Sequence, residues 1–562
     1  MLDELKKSGE APDWMQDEGY RTLLGGYLLP DETPRQMYTR VAKAAASYYK
    51  KKDYTDDFFR IMWNNWLCPA SPVLANMGTT RGLPISCNTI SVPDSVDGIF
   101  GKIHEFAMLS KHGAGVGIYL GDVRARGSAI KGNGKSEGIV PWSRIFDTTV
   151  ASVSQGGTRK GASAFYLPVT HGDIDEFLDI RRPTGDVNRR CLNSNHAVCI
   201  PDSWMQEMLD GDQDKRKLWE KILRTRFETG EPYLFFSDNV NEQAPECYKA
   251  NDLKISTSNI CNEIYLYTDD EHTFVCCLSS LNLVKWEEWK DTDTVALSVR
   301  FLDAVLEEYI IRSEGIPGFE PARRSAVKGR AIGLGVLGWH SLLQSKSLPF
   351  DSFDSMMLNA QIFNSIRTYC DAETKTLAEE LGEPLWCEGF GRRNTHCMAV
   401  APTVSNSAIS GGYSQGIEPL AGNVFAKRSA KGTFFFKNPY LETVLEAHGE
   451  NTLDVWKSIS GNGGGVQHLD FLSPHDKEVF LTAREINQHA VIKHASQRQQ
   501  FIDQGQSVNL FFAANSNPKY IHEVHIAAWE SGMKGLYYLR ADGVLKGDLA
   551  SRSKEECAAC EG

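Results

Sequence analysis

A chain of 562 residues can bury a large core, and a net charge of −12 with a pI of ≈ 5.7 argues against a nucleic-acid coat or a membrane-surface protein, both of which carry basic patches. No apolar run is long enough to cross a bilayer and the first twenty residues lack a signal-peptide core, so a soluble, cytoplasmic protein is expected. Thirteen cysteines scattered through such a chain speak against a disulfide framework and for reduced thiols, some of them reactive.

In chain order, "RQMYTRVAKAAASYYKK" and "DDFFRIMWNNWLC" repeat apolar residues at helical spacing, until "CPASPVLANMG" breaks the pattern. Residues 1–66 therefore read as a helical region. Beyond them, β-like runs ("HAVCI", "YLFF", "TFVCCL", "SVNLFF", "GLYYLR") alternate with amphipathic helices such as "DTVALSVRFLDAVLEEYIIRS" and "KYIHEVHIAAWESG", the pattern of an α/β domain over residues 67–545. Gly532 stands where the second of these helices needs a left-handed residue. Residues 546–562 lose apolar periodicity and read as a mobile tail.

Several stretches can carry chemistry. In "SNICNEI" an amide, a thiol and a carboxylate alternate, so a strand would put Asn259, Cys261 and Glu263 on one face; the plain alternative is an exposed strand with an incidental cysteine. Cys557 and Cys560 form a C-x-x-C pair in the tail, better suited to disulfide exchange than to metal because no second ligand pair adjoins it. Cys87 in "PISCNTI" and Cys276-Cys277 in "TFVCCLSSLNL" lie on β-like runs, where each taken singly is an ordinary buried thiol. "KHGAGVGIYLG" contains Gly113, Gly115 and Gly117 without the full dinucleotide spacing, and "SVSQGGTRKGASA" carries Gln155, Arg159 and Lys160. "APTVSNSAISGG" offers Thr403, Ser405, Asn406 and Ser407 either around an anion or as a plain helix cap. The "CLNSNHAVC" spacing of Cys191, His196 and Cys199 fits no standard zinc site, so no metal is expected in the chain.

Taken together, Asn259-x-Cys261-x-Glu263, the C-x-L-S-x-x-N-L run from Cys276 to Leu283, "SQGGTRKGA", "PTVSNS", "GIEP" at Gly416 to Pro419, "GLYYLR" and the terminal cysteine pair follow one another in the order seen in ribonucleotide reductase large subunits. From about Leu67 onward the chain resembles a class I catalytic (alpha) subunit, a ribonucleoside-diphosphate reductase. That resemblance implies a ten-stranded α/β barrel with a central finger loop carrying the radical cysteine. It assigns the thiyl radical to Cys261, the general base to Glu263, the ribose contact to Asn259, and the reducing pair to Cys87 and Cys276, re-reduced by the tail dithiol and then by thioredoxin or glutaredoxin. It matches Ser71, Ser86, Gly115 and Thr403 to Ser407 with substrate contacts. It matches Asp94, Arg124, Gln155 and Arg159 with an allosteric specificity site for deoxynucleoside triphosphates or ATP near a homodimer interface.

Tyr537-Tyr538 resembles the tyrosine pair that passes a radical from a small (beta) subunit, on which a dinuclear metal radical cofactor is expected. The same pair disfavours the adenosylcobalamin-dependent alternative, which needs no such relay. A regulatory nucleotide-binding protein that has kept the fold without turnover is a third reading, opposed by the intact cysteine, asparagine and glutamate set. The short front leaves little room for an ATP-cone, as in a compact or phage-type enzyme, whose place would be the host cytoplasm.

Overall fold

A computed structural model describes residues 1–132, 134–153, 161–429 and 432–541. The front of the chain forms the helices Leu2–Lys7, Asp17–Leu24, Pro34–Ala46 and Thr55–Trp63. The third shows how its sequence sets it: Thr33 and Gln36 cap one another's backbone amides, and Pro34 sits in the first turn, where its missing N–H costs nothing. Met37, Val41, Ala42 and Ala45 then form a fully buried stripe. Just beyond that helix, the Tyr49 hydroxyl donates to the Arg300 carbonyl at 2.6 Å, tying the helical front to the long helix Thr294–Arg312.

Among the described residues the strands are β1 (Leu67–Pro69), β2 (Cys87–Ser91), β3 (Gly115–Tyr119), β4 (Ala162–Pro168), β5 (Asn195–Ile200), β6 (Tyr233–Phe236), β7 (Phe274–Asn282), β8 (Ile332–Leu337), β9 (Val424–Ser429), β10 (Gly432–Lys437), β11 (Leu510–Phe512), β12 (Gly535–Leu536) and β13 (Leu539–Ala541). Strands β2 to β6 lie side by side and parallel, with Cys87 opposite Gly115, Gly115 opposite Ala162, Ala164 opposite Asn195 and Ala197 opposite Tyr233. A second parallel series starts with β7 on β8 and continues through the bridges Leu334–Met398 and Val400–Gln506 to β11 on β13. The two series meet antiparallel twice, at β7 on β2 and at β12 on β6. Five staves in each series close into a ten-stranded α/β barrel, the fold expected from the resemblance.

Parallel strands need cover on both faces, which is why β6 reads "YLFF" and buries all four side chains completely. About eight staves leave an interior that side chains alone can fill; ten leave room for more. Here the segment between the helix Glu246–Ala250 and β7 supplies the filling.

Candidate active site

The finger is a turn, and the strand expected for "SNICNEI" does not form: residues 258–264 contain no β-structure. Its short polar side chains bond to the finger's own backbone in place of a sheet ladder. Asn259 Oδ1 accepts from the backbone amides of Glu263 at 3.1 Å and Ile264 at 3.2 Å, and the Asn262 amide donates to the Asn259 carbonyl at 3.2 Å. Ser258 Oγ closes the neck by donating to the Ile264 carbonyl at 2.8 Å. Asn262 occupies the left-handed region at φ 60°, which asparagine tolerates better than most residues. Asn259, Cys261 and Glu263 are thus gathered in one tight turn by its curvature, not by strand alternation.

Staves from around the barrel hold this turn. Thr89 Oγ1 donates to the Ser258 carbonyl at 3.0 Å, and the Tyr166 hydroxyl to the Asn259 carbonyl at 2.6 Å. Asn262 Nδ2 reaches the carbonyls of Leu234 at 3.1 Å and Leu536 at 3.2 Å, on the two strands whose pairing closes the barrel. Gly505 N donates to the Glu263 carbonyl at 2.9 Å, and Ser507 Oγ lies 2.7 Å from the Cys261 carbonyl and 3.2 Å from Glu263 Oε2. The finger passes so close to β3 that a Cβ at Gly117 would stand 2.0 Å from the Ser258 carbonyl oxygen. Gly115, matched above with a substrate contact, pairs with Cys87, and its amide donates to the Ser86 carbonyl at 2.7 Å.

Glu263 is 1% exposed, and burial pushes its carboxyl up to about 7, against opposing hydrogen bonds from Asn259, its own amide and Ser507. Asn259 is fully buried, and its Nδ2 donor has no partner among the described residues. Cys276 and Cys87 face one another in register where β7 meets β2. Burial holds the Cys276 thiol well above its usual range, opposed by Gln504, whose Nε2 lies 3.5 Å from the sulfur. Cys277 is the next residue on β7 and has Asp303, not Glu263, among the charges acting on it. A small crevice lies beside the facing pair, lined among others by Ala70, Pro72, Ser86, Cys87, Cys276 and Leu278.

The remaining expected residues divide between this neighbourhood and elsewhere. Ser71 begins the short helix Ser71–Asn76 and accepts from the Tyr27 hydroxyl at 2.8 Å. Thr403 precedes the helix Val404–Ile409 at φ 58° without capping it; its Oγ1 accepts from Gly416 N at 2.7 Å and lies 3.1 Å from Ser407 Oγ. Asn406 Nδ2 donates to the Pro69 carbonyl at 3.2 Å, bringing the buried Ser405–Ser407 stretch beside β1. Asp94 and Arg124 lie past the other end of β2 and β3 and pair with each other at 2.7 Å. Gln155, Arg159, Cys557 and Cys560 lie outside the described residues. Among the described residues no cluster suits a metal ion, and His196 instead faces Glu231 at 3.0 Å.

Tyr537 and Tyr538 link β12 to β13, with ring centroids 4.3 Å apart. Tyr233 on β6 packs against both, at 4.8 and 5.1 Å. Leu536, which Asn262 holds, is the residue before Tyr537, so one carboxamide joins the finger to the tyrosine strand.

Two family descriptions match the chain: "Ribonucleotide reductase, all-alpha domain" over residues 15–82, and "Ribonucleotide reductase, barrel domain" over 85–215, 211–390 and 387–539. The chain belongs to the ribonucleotide reductase large-subunit family. Relatives of this family include a large-subunit homologue from Frog virus 3 (isolate Goorha), 40% identical over 88% of this chain and 90% of its own. The ribonucleoside-diphosphate reductase large subunit of Invertebrate iridescent virus 3 is 32% identical over 97% of this chain and 98% of its own. Among solved structures, the Actinobacillus ureae class Id ribonucleotide reductase alpha subunit superposes with a TM-score of 0.89 at 39% identity, covering 95% of this chain and 99% of that one.

Sequence reasoning on this reductase chain did not single out Tyr166, Asn262, Gln504, Ser507 or Tyr233. Asn262 sits inside the quoted motif, and its tolerance of the left-handed region was the available signal. Gln504 and Ser507 belong to "DQGQS", which has no periodicity and gains meaning only when the Val400–Gln506 bridge places it against the finger.

Proposed function

We propose that the chain is the catalytic subunit of a class I ribonucleoside-diphosphate reductase, converting ribonucleoside diphosphates to 2′-deoxyribonucleoside diphosphates. The observation that carries this reading is the finger turn: a thiol, a buried carboxyl pushed up to about 7 and an amide donor with no partner among the described residues share five residues, with two further cysteines facing one another on the barrel wall nearby.

In this reading Cys261, as a thiyl radical, takes the hydrogen from C3′ of the ribose, and Glu263 takes the 3′-hydroxyl proton. Asn259 Nδ2 donates to the ribose, a role supported by its burial without a partner among the described residues. The 2′-hydroxyl leaves as water with a proton from the Cys87/Cys276 pair. Those two thiols supply two electrons as their S–S bond forms, and Cys261 returns its hydrogen to C3′. The balance is one diphosphate and two thiols giving one deoxydiphosphate, one disulfide and one water. Cys557 and Cys560 would re-reduce the disulfide by exchange, themselves reduced by thioredoxin or glutaredoxin. Ser71, Ser86, Gly115 and Thr403 to Ser407 would hold the substrate. Asp94, Arg124, Gln155 and Arg159 would bind a deoxynucleoside triphosphate or ATP at the edge of a homodimer.

Tyr538 and Tyr537 would pass an electron outward to a radical-generating small subunit, which carries the metal cofactor. The Asn262 link from the finger to Leu536 supports a short path between Cys261 and the tyrosine strand. The class Id relative and the tyrosine pair both favour this reading over adenosylcobalamin dependence. The test is CDP reduction with Cys261→Ser: deoxynucleotide formation should vanish while effector binding remains, and surviving turnover would overturn the assignment.

A further inference from the structure

The outer tyrosine, Tyr538, has a polar neighbour on β5. Asn195 opens β5, and its Nδ2 donates to the Tyr538 hydroxyl at 3.0 Å. Its position is fixed on two sides. Asn195 pairs with Ala164 on β4, while the two residues before it are gripped by Asp147 on the helix Ile139–Val153. The Asp147 carboxylate accepts from Asn193 N and Asn193 Nδ2, both at 2.9 Å, and from Ser194 Oγ at 2.8 Å; Asp147 is itself 6% exposed. The Arg540 guanidinium stands 4.4 Å from the centroid of the Tyr538 ring, and Tyr233 packs edge-on against that ring.

We propose that Asn195 is a positioning residue for the tyrosine pair, fixing the Tyr538 phenol and the direction in which its proton leaves. The proposal rests on the relay reading of Tyr537 and Tyr538 given above. A carboxamide N–H donates and does not take up a proton, so Asn195 is not the base. By occupying one side of the phenol oxygen, it directs the Tyr538 hydrogen to the other. When one electron passes from Tyr538 to the radical of the small subunit, the O–H bond breaks and the proton passes, on that other side, to a water molecule at the boundary with the small subunit. The tyrosyl oxygen that remains still accepts from Asn195, and it regains one electron and one proton from Tyr537. A fixed oxygen suits that transfer, because the distance between donor and acceptor atoms does not have to be re-established at each turnover.

The test places 3-nitrotyrosine at position 538 of the full chain and titrates its visible absorption with Asn195, Asn195→Leu and Asn195→Asp, folding being checked by effector binding. Loss of a hydrogen bond to the phenolate should raise the titration by about one to two pH units in Asn195→Leu. Asn195→Asp should raise it at least as far, because a carboxylate replaces the donor. Chains with tyrosine at 538 and the Asn195→Leu change should show a lower kcat for CDP with an unaltered KM. A titration that moves in neither folded variant overturns the proposed contact. A titration that moves while kcat stays at the parent value overturns the place of Tyr538 in the relay, and the role of Asn195 with it.

Discussion

In the proposed mechanism the base is Glu263, a carboxyl whose proton affinity is set by burial. A carboxyl held at about 7 is poised to exchange a proton near neutral pH, and only its ionised form can act as a base. The rate of CDP reduction should therefore rise through pH ≈ 7 on its acid limb, and Glu263→Gln should abolish turnover. The same shift has a cost in stability, and its sign is fixed. Folded Glu263 keeps its proton to about pH 7, whereas an unfolded glutamate loses it near about 4.3, so between those values the folded state binds more protons and stability falls as pH rises. Glu263→Gln removes this penalty and should resist denaturant better than the parent at pH 8, by up to about 3 kcal/mol, with the advantage gone at pH 4. Equal unfolding midpoints at pH 8 would show that the carboxyl is not held up by burial. At this scale the sequence was informative about residue type and silent about geometry. Asn259, Cys261 and Glu263 could be named from their spacing, but the reason for that spacing was misread: the polar side chains fold the backbone into a turn, and period-two alternation is common to both forms.

The finger is an element without secondary structure, so the barrel wall must define its shape. Asn262 contributes both a left-handed residue and two hydrogen bonds to strand carbonyls on opposite sides of the closing seam. Asn262→Ala should destabilise the protein by about 2–4 kcal/mol, since two buried carbonyls lose their donor and alanine is strained at positive φ. Asn262→Gly relieves the strain alone and should recover only part of that loss in a denaturant titration. At Gly117 the wall touches the finger, and a methyl group there would collide with the Ser258 carbonyl oxygen. Gly117→Ala should shift the finger and cost about 1–3 kcal/mol, with a larger fractional loss in CDP reduction than in effector binding. The alternating strands and helices were legible because parallel strands buried on both faces must be apolar, as β6 is. The single-residue bridges at Met398 and Gln506 were not, because their segments pair too briefly to impose a pattern on the sequence.

As a whole molecule, the chain is a barrel built around a loop which, in the proposed mechanism, reacts only when supplied with a radical from a separate subunit. The ten-stave closure follows from two parallel series meeting antiparallel at two seams, and each seam has a site residue on it: Cys276 faces Cys87 at one, and Asn262 binds across the other. Replacing Cys557 and Cys560 with serine should leave a single burst of dCDP from the prereduced Cys87/Cys276 pair, with no sustained turnover from thioredoxin; steady thioredoxin-driven turnover would remove the tail from the reductant path. In the proposed mechanism this chain makes deoxynucleotides by radical chemistry initiated on a separate subunit. The measurement that addresses it is conversion of CDP to dCDP by the purified protein with dithiothreitol and an allosteric effector, run with a candidate small subunit, with adenosylcobalamin, and with neither. dCDP should form only when the small subunit is present. Formation of dCDP with adenosylcobalamin alone would contradict it and would mean that Tyr537 and Tyr538 are packing residues of a barrel that generates its own radical.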